Sequence, residues 1–470
     1  MTVSAWIARL DRLVWGPWML ALLLGTGVFL TLRTRFLPWR NLGWALRSTF
    51  SRASRTGTGG AGDVSPFSAL MTTLADTIGT GNIAGVATAL VAGGPGALVW
   101  MELSALLGLS SKCAECLLAV KYRRKTGLGE FRGGPMYTMR CGLRQRRLGA
   151  ALAFFFAVST VLASLGMGNM AQSNSVAAAL AGSFGVPARI TGAATAVLAL
   201  AVILGGIRRI ARVAGVVVPF MAALYLLAGL AVLLGRLPAL PGAVAQILRL
   251  AVSPAAAAGG AAGTITASVL DAARWGIARG CFSNEAGMGS AAIPAASAAS
   301  SSPARQGYLN MTGTVVDTLV VCTVTGLCIC ASGVLGATDA SGAPINGAAL
   351  TSLAFQTVLG PLGGLLVDVC IALFAFSTIL GWAYYGETAL AYLTGGRGLL
   401  PYRLVYALAA YIGAVESLEL VWNLSDIFNA LMAVPNLVCL LLLSGTAARE
   451  LRAFQPVICR ERRKVPRRRR

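Results

Sequence analysis

The chain has 470 residues, of which 56% are hydrophobic and 12% charged, with a mean hydropathy of +0.72. Soluble domains carry about a quarter charged residues, and no polar stretch here is long enough to bury a separate core, which excludes an ordinary soluble protein or a membrane anchor bearing a soluble domain. The 39 Lys and Arg exceed the 17 Asp and Glu, giving a net charge of +22; their placement points to a membrane surface rather than nucleic acid.

Eleven apolar segments follow in order, roughly 14–33, 67–93, 96–120, 149–181, 188–205, 213–235, 268–299, 306–335, 362–392, 404–417 and 426–445. The longer ones suffice to cross a bilayer as helices, so the expected fold is an all-α integral membrane protein of about eleven spans. Glycine and proline clusters punctuate them: "GGPG" at 93–96, "GSFGVP" at 182–187 and "TGGRGLLP" at 394–401. The first segment lacks a small-residue cleavage site and reads as a retained helix rather than a signal peptide. Ten cysteines, among them Cys322, Cys328, Cys330 and Cys370, are scattered through apolar sequence and read as reduced core residues. Histidine is absent, which removes the commonest metal ligand and the usual neutral-pH proton shuttle.

The basic residues set an orientation. With the N-terminus outside and eleven crossings, 31 of the 39 Lys and Arg fall on the cytoplasmic side, seven on the outer side, and Lys112 lies within the third segment. That is a strong positive-inside signal, and it places the multi-pass chain in the cell membrane with its C-terminus cytoplasmic. Segments two and seven then run in opposite directions, each followed by four more. Residues 67–235 and 268–445 become two five-helix units of opposite orientation. Residues 1–66 add one helix and a basic loop, 236–267 form an outer connection, and 446–470 form a basic tail. The stretch "RERRKVPRRRR" at 460–470 is expected to be disordered, solvated and in contact with anionic lipid.

Segments two and seven share a further feature. One carries "TIGTGN" at 77–82 and the other "FSNEAGMGS" at 282–290, each 12 to 17 residues in from the entry end. At about 1.5 Å per residue this is near the bilayer midplane. Glycine lowers the cost of unwinding there, but unwinding frees backbone groups that lipid cannot satisfy. Close helix packing accounts for glycines such as Gly81 and Gly85. It does not account for Asp76, Asn82, Asn284 and Glu285 at the same depth, where ionisable groups are expensive. Two interrupted helices in opposed repeats point to a transporter's binding cavity, with half-helix N-termini for an anion and freed carbonyls for a small hard cation.

"TIGTGNIAGVATALVAGGPGALVWM" (77–101), "KCAECLLAVKYR" (112–123), "FRGGPMYTM" (131–139), "FSNEAGMGSA" (282–291), "GTVVDTLVVCTVTGL" (313–327), "LFAFSTILGWAYYGE" (373–387) and "DIFNALMAVPNL" (426–437) resemble the alanine or glycine:cation symporter family. The resemblance spans most of the chain. It implies a LeuT-type five-plus-five fold and sodium-coupled uptake of a small neutral amino acid, chiefly alanine. It places the substrate among Gly79, Thr80, Gly81, Asn82, Gln172, Phe282, Met288, Thr378 and Trp382. It places sodium, the coupling ion, against Thr77 and Thr80 carbonyls with Ser377 and Thr378 hydroxyls. Proton-coupled uptake or exchange on the same fold is the alternative. A Walker lysine motif, a metal-binding histidine pair and a GxSxG elbow are all missing, so ATP hydrolysis and familiar enzymology are not indicated. Lys112 and Glu115, three apart, are expected to pair on one helix face. Asp317 and Asp368 serve either an ion path or a polar network, and the "GGPMY" loop reads as cytoplasmic.

Overall fold

The computed structural model describes residues 7, 9–10, 13–56, 59–126, 129–252, 269–339, 341–416 and 419–464. The main helices, in chain order, are α1 (Pro17–Arg33), α2 (Pro66–Thr77), α3 (Val86–Gly93), α4 (Ala97–Tyr122), α5 (Arg146–Leu165), α6 (Ala171–Phe184), α7 (Ala188–Ile203) and α8 (Gly206–Gly235). They continue with α9 (Val269–Asn284), α10 (Ala292–Ala296), α11 (Pro303–Thr314), α12 (Thr323–Ser332), α13 (Gly347–Leu359), α14 (Pro361–Thr394), α15 (Leu399–Val415) and α16 (Glu419–Lys464). Among the described residues, six helices are long and apolar enough to cross a membrane, and seven if the bent pair α2–α3 counts as one span. Shorter apolar helices, including α1, α7, α13 and α15, complete the bundle. Among the described residues, strand is confined to Arg124–Lys125 paired antiparallel with Phe131–Arg132.

Both interruptions are present. α2 starts with Ser65 as N-cap, its hydroxyl accepting from the Ser68 N–H at 3.1 Å, and with Pro66 in the first turn. It stops where Ile78 leaves the helical region, and the chain resumes at an angle of 51° through a π-helical turn, Gly81–Gly85. α9 stops at Asn284. Glu285 takes φ +52°, Gly287 and Gly289 take φ +89°, and helix returns only for the five residues of α10. Two further π-helical stretches had no expectation attached: Gly166–Met170 between α5 and α6, and Val315–Cys322 between α11 and α12. π-Helical turns inside α-helices are frequent at functional sites.

The outer surface of the bundle is apolar. Val216, Phe220 and Leu227 on α8 are 71%, 60% and 67% exposed, as are large apolar groups on α5 and α7, a face suited to lipid. α4 runs through the interior against α9 and α11, and α14 crosses the middle against α2, α5, α6 and α8. All ten cysteines are free, most of them buried, in line with the sequence reading.

Three expectations need correction. The basic tail is not disordered over its described part: α16 continues to Lys464, and 465–470 lie outside the described residues. Leu451, Phe454 and Ile458 recur at helical spacing and are buried. Trp44 Nε1 donates to Glu461 at 3.1 Å, Arg305 pairs with Glu461, and Asn41 Nδ2 donates to Gln455 at 2.8 Å. Charge density masked this apolar stripe. Secondly, Leu240–Val252, read as connection, is helical, while 253–268 lie outside the described residues. Thirdly, Lys112 and Glu115 do not bind each other. Lys112 Nζ donates to the Asn284 carbonyl at 2.8 Å. Glu115 accepts the Gly287 N–H at 3.2 Å and the Asn436 amide at 3.1 Å. α4 therefore supplies the donors and acceptors that the second break lost.

Replacing Lys112 with Met is expected to leave the Asn284 carbonyl buried and unpaired, a cost of about 1–3 kcal/mol, read as a lower midpoint in thermal unfolding of the detergent-solubilised protein. Glu115→Gln keeps an acceptor for Gly287 and is expected to cost less in the same measurement.

Candidate functional site

The two breaks meet at one buried carboxylate. Asp317, on the π-helical stretch between α11 and α12, is fully buried. Its Oδ1 accepts from Asn82 Nδ2 at 2.6 Å, and its Oδ2 accepts from Ser283 Oγ at 3.0 Å and Thr318 Oγ1 at 2.7 Å. Asn82 belongs to the first break and Ser283 to the second, so one side chain holds both. The Asn82 carbonyl oxygen accepts the Gly79 N–H at 2.9 Å. Both ends of this amide are thus committed inside the protein, which makes it a brace of the break.

The first break faces α14. Ser377 Oγ lies 2.8 Å from the Ala75 carbonyl, and Thr378 Oγ1 lies 3.2 Å from the Asp76 carbonyl. Both hydroxyls also reach their own helix at Phe374 O, at 2.8 and 3.1 Å. A hydroxyl has one proton and two lone pairs, so each donates either to α2 or back to Phe374, and when it donates back its lone pairs are free to face a cation beside α2. Gly79 sits in this gap without a side chain. A Cβ there would lie 3.0 Å from Thr378 Oγ1, 3.4 Å from Asp76 O and 4.0 Å from Thr77 O. The oxygens converging beside Gly79 are neutral and suit a small hard cation. The carbonyls that close on the two hydroxyls are those of Ala75 and Asp76, just before the Thr77 expected from the sequence, whose carbonyl borders the same gap, while the Thr80 carbonyl is not among them.

Thr80 points the other way, donating from Oγ1 to Gln172 Oε1 at 3.2 Å, while Gln172 Nε2 donates to Met167 O at 3.2 Å. Gly81 packs on Phe282 and Ser283, at 3.7 and 3.8 Å from where its Cβ would be, so the breaks touch directly. Trp382 lies over Gly168 of the Gly166–Met170 π-turn, where any Cβ would overlap its ring, and its ring centroid is 5.5 Å from that of Tyr385. Met288 is fully buried in the unwound part of the second break, and Phe282 is only half-buried, at a small cavity shared with Trp15, Trp275 and Arg279. Structure therefore groups Gly79, Thr80, Gly81, Asn82, Gln172 and Thr378 closely around the first break. Trp382 reaches the same region from α14, and Phe282 joins it through Gly81.

Several buried polar atoms here have no hydrogen-bond partner among the described residues, Thr77 Oγ1, Ser173 Oγ and Trp382 Nε1, while the Asp76 carboxyl faces Glu285 and Tyr385. Buried polar groups are nearly always paired, so such a cluster marks a place where ligands complete the bonding. Ser173 and Tyr385 were not singled out from the sequence. Tyr385 lies within the quoted "LFAFSTILGWAYYGE" run, and Ser173 follows Gln172, so both were within reach of the motifs.

A cavity of about 640 Å³ reaches Thr80 from the face that carries the Asp339–Asn346 loop, between Asn174 and Ser175 of α6, Gln356 of α13 and Asp368 of α14. Asp368 lines this entrance, accepting from Ser183, while Asp317 closes the internal network; that separates two aspartates the sequence left undivided. The opposite face is tied shut. Arg123 donates to the carbonyls of Ala61, Ala296 and Ala298 at 2.6, 2.9 and 2.6 Å. Asp63 accepts the Phe131 N–H at 2.7 Å, and partial burial raises its carboxyl above the ordinary value. Arg403 grips Glu387 at 2.8 and 2.9 Å, and Ser297 Oγ meets Tyr384 OH at 2.6 Å. The "GGPMY" loop lies at this closed face, running into a short helix, Pro135–Gly142.

A family model described as "Sodium:alanine symporter family" matches residues 1–467. The chain is 48% identical over 454 residues to "Sodium/alanine symporter AgcS" of Methanococcus maripaludis, covering 96% of this chain and 97% of that protein. It is 36% identical to "Probable sodium/glutamine symporter GlnT" of Bacillus subtilis, with 94% and 89% covered. It is 34% identical to "Putative sodium/proton-dependent alanine carrier protein YrbD" of the same organism, with 96% and 93% covered. Taken with the membrane-spanning bundle and its two interrupted helices, these matches make the chain a multi-pass membrane transporter rather than an enzyme, and it belongs to the sodium:alanine symporter family of cation-coupled amino-acid symporters.

Proposed function

We propose that the chain couples the inward movement of sodium to the uptake of alanine, or a similarly small neutral amino acid, by alternating access. The carrying observation is the set of neutral oxygens around the space beside Gly79, contributed by α2 and α14. A cation there would draw the hydroxyls of Ser377 and Thr378 onto the end of α2 and hold the two helices together. α2 and α14 belong to opposite five-helix units in the eleven-span, inverted-repeat reading, with the N-terminus outside and the C-terminus cytoplasmic. An ion between them links its own binding to the relative position of the units.

The amino acid would lie beside the ion, among Gly79, Thr80, Gly81, Gln172 and Trp382. Backbone N–H groups freed at the break suit its carboxylate. The oxygens of Gln172 and Thr80 suit its ammonium. Trp382, held by contact with Gly168, limits the side chain to a methyl or slightly more, with Phe282 and Met288 closing the second-break side. A pocket of this kind separates neighbouring homologues by about 1–3 kcal/mol per methylene. In the outer-facing orientation, the cavity at Asp368 is the extracellular entrance, and the Arg123, Glu387 and Asp63 contacts are the closed cytoplasmic gate. The Asp76 carboxyl, which faces Glu285 and Tyr385, favours a second reading in which protons replace or accompany sodium.

Labelled alanine uptake into proteoliposomes tests both readings. Concentrative uptake under a sodium gradient, abolished when choline replaces sodium, is the expected result; uptake that persists in choline and follows a pH gradient supports the proton reading instead. Thr378→Val, which removes one cation ligand, is expected to raise the half-saturating sodium concentration by about tenfold or more, whereas Thr378→Ser keeps the oxygen and stays near wild type. Gly79→Ala fills the gap between the oxygens and is expected to remove sodium-dependent uptake, measured against unchanged membrane insertion. Asp317→Asn takes away the charge that accepts from Asn82, Ser283 and Thr318. It is expected to reduce uptake at least tenfold and to lower the thermal midpoint.

A further inference from the structure

A second cavity, of about 760 Å³, lies on the face tied shut at Arg123, away from the transport path. Four arginines line it from three segments: Arg124 after α4, Arg140 on the short helix Pro135–Gly142, and Arg144 and Arg146 at the entry to α5. Tyr137 and Tyr392 close its wall as an edge-to-face pair, with ring centroids 5.2 Å apart. No carboxylate lines it. Among the described residues, none of the four guanidinium groups forms an ion pair or a hydrogen bond with the protein, although Arg123, Arg132 and Arg403 nearby all do. The four side chains are exposed, so water and salt screen their mutual repulsion, and an anion seated among them would meet several free guanidinium groups together. The start of α5 adds its own partial positive charge.

Surroundings indicate where the anion comes from. The cavity sits at the ends of α4, α5 and α14, the level at which a bundle meets headgroups. α5 leads away from it with Leu148, Phe154 and Phe155 exposed at 39%, 62% and 44%, an apolar track for acyl chains continuous with the basic cavity. Tyrosine, with an apolar ring and a polar end, is the residue expected at this depth. A soluble anion would use the arginines and leave this track unused. We infer that Arg124, Arg140, Arg144 and Arg146 form a seat for the phosphate headgroup of an anionic phospholipid, with its chains lying along α5. Basic pockets between spans on the cytoplasmic side recognise anionic lipid in this way. The seat is distinct from the arginine-rich C-terminus and independent of the coupling ion.

The test uses the full-length protein in nanodiscs of phosphatidylcholine with or without phosphatidylglycerol, with bound lipid counted by native mass spectrometry after release. Wild type is expected to retain phosphatidylglycerol over phosphatidylcholine. Each arginine removed is expected to weaken that retention roughly fivefold, so Arg140→Gln with Arg144→Gln nearly abolishes it. Replacing Arg467 to Arg470 by Gln is expected to leave it unchanged. Cys141 lines the same cavity, so a Cys459→Ser protein gives an independent readout that leaves the arginines untouched: phosphatidylglycerol slows alkylation of Cys141 and phosphatidylcholine does not. Equal retention of both lipids, retention that survives the Arg140 and Arg144 changes, or loss only in the C-terminal variant overturns the inference. Excess inorganic phosphate that displaces the lipid or protects Cys141 equally well makes this a site for a soluble anion, and overturns the lipid assignment.

Discussion

The structure depends on a single constraint: a helix opened inside a membrane must have its freed backbone groups paired by other parts of the protein. Asp317 is where that constraint is met for both breaks together. One carboxylate accepts from Asn82 in the first break and from Ser283 in the second, and the Asn82 oxygen takes up the Gly79 N–H. Lys112 and Glu115 do the same service for the far side of the second break, through Asn284 O and the Gly287 N–H. The breaks are thus rigidly braced where they do not face ligand. On the side facing α14, Thr77 Oγ1 and Trp382 Nε1 stay without a partner among the described residues.

This division explains why α14 meets the first break through neutral groups while ionisable side chains serve the frame. Ser377, Thr378 and the carbonyls of Ala75 and Asp76 offer only dipoles there. Asp317, Lys112 and Glu115 hydrogen-bond to the breaks and hold their geometry. Ionisable groups at this depth are tolerable when so bonded. The two faces differ in the same way. The cavity beside Asp368 is lined by polar and apolar side chains of α6, α13 and α14, whereas the other face gathers Arg123, Arg403, Glu387 and Asp63 into hydrogen bonds with backbone and with each other.

Much of this was legible in the chain. The positions of the two breaks were visible because Gly-rich polar runs at midplane depth have few structural excuses, whereas Gly79, Thr80, Gln172 and Thr378 were named only by the family resemblance that the motifs carry. Asn82 was equally visible, but its role was not: an amide at a break serves a ligand or the protein, and only its contact with Asp317 decides. The partners of Lys112 and Glu115 were misread for a similar reason. A three-residue spacing puts two side chains on one helix face, yet the stronger demand of an opened helix across the interface draws them apart. The tail was misread because ten basic residues after 445 hide a stripe of three buried apolar ones.

By itself the sequence determined the solvent, the spans and the places where spans break, because these rest on local hydropathy, charge asymmetry and glycine content, all of which are properties of neighbours in the chain. Only the tertiary structure decided what fills the breaks. Asp317 lies 235 residues from Asn82 and Thr378 lies 302 from Asp76, and no local pattern records that pairing. The same holds for the four arginines around one cavity. Their charge is plain in the sequence, but their lack of a carboxylate partner is a fact of packing, because a counter-charge is found or missed only once the helices have met.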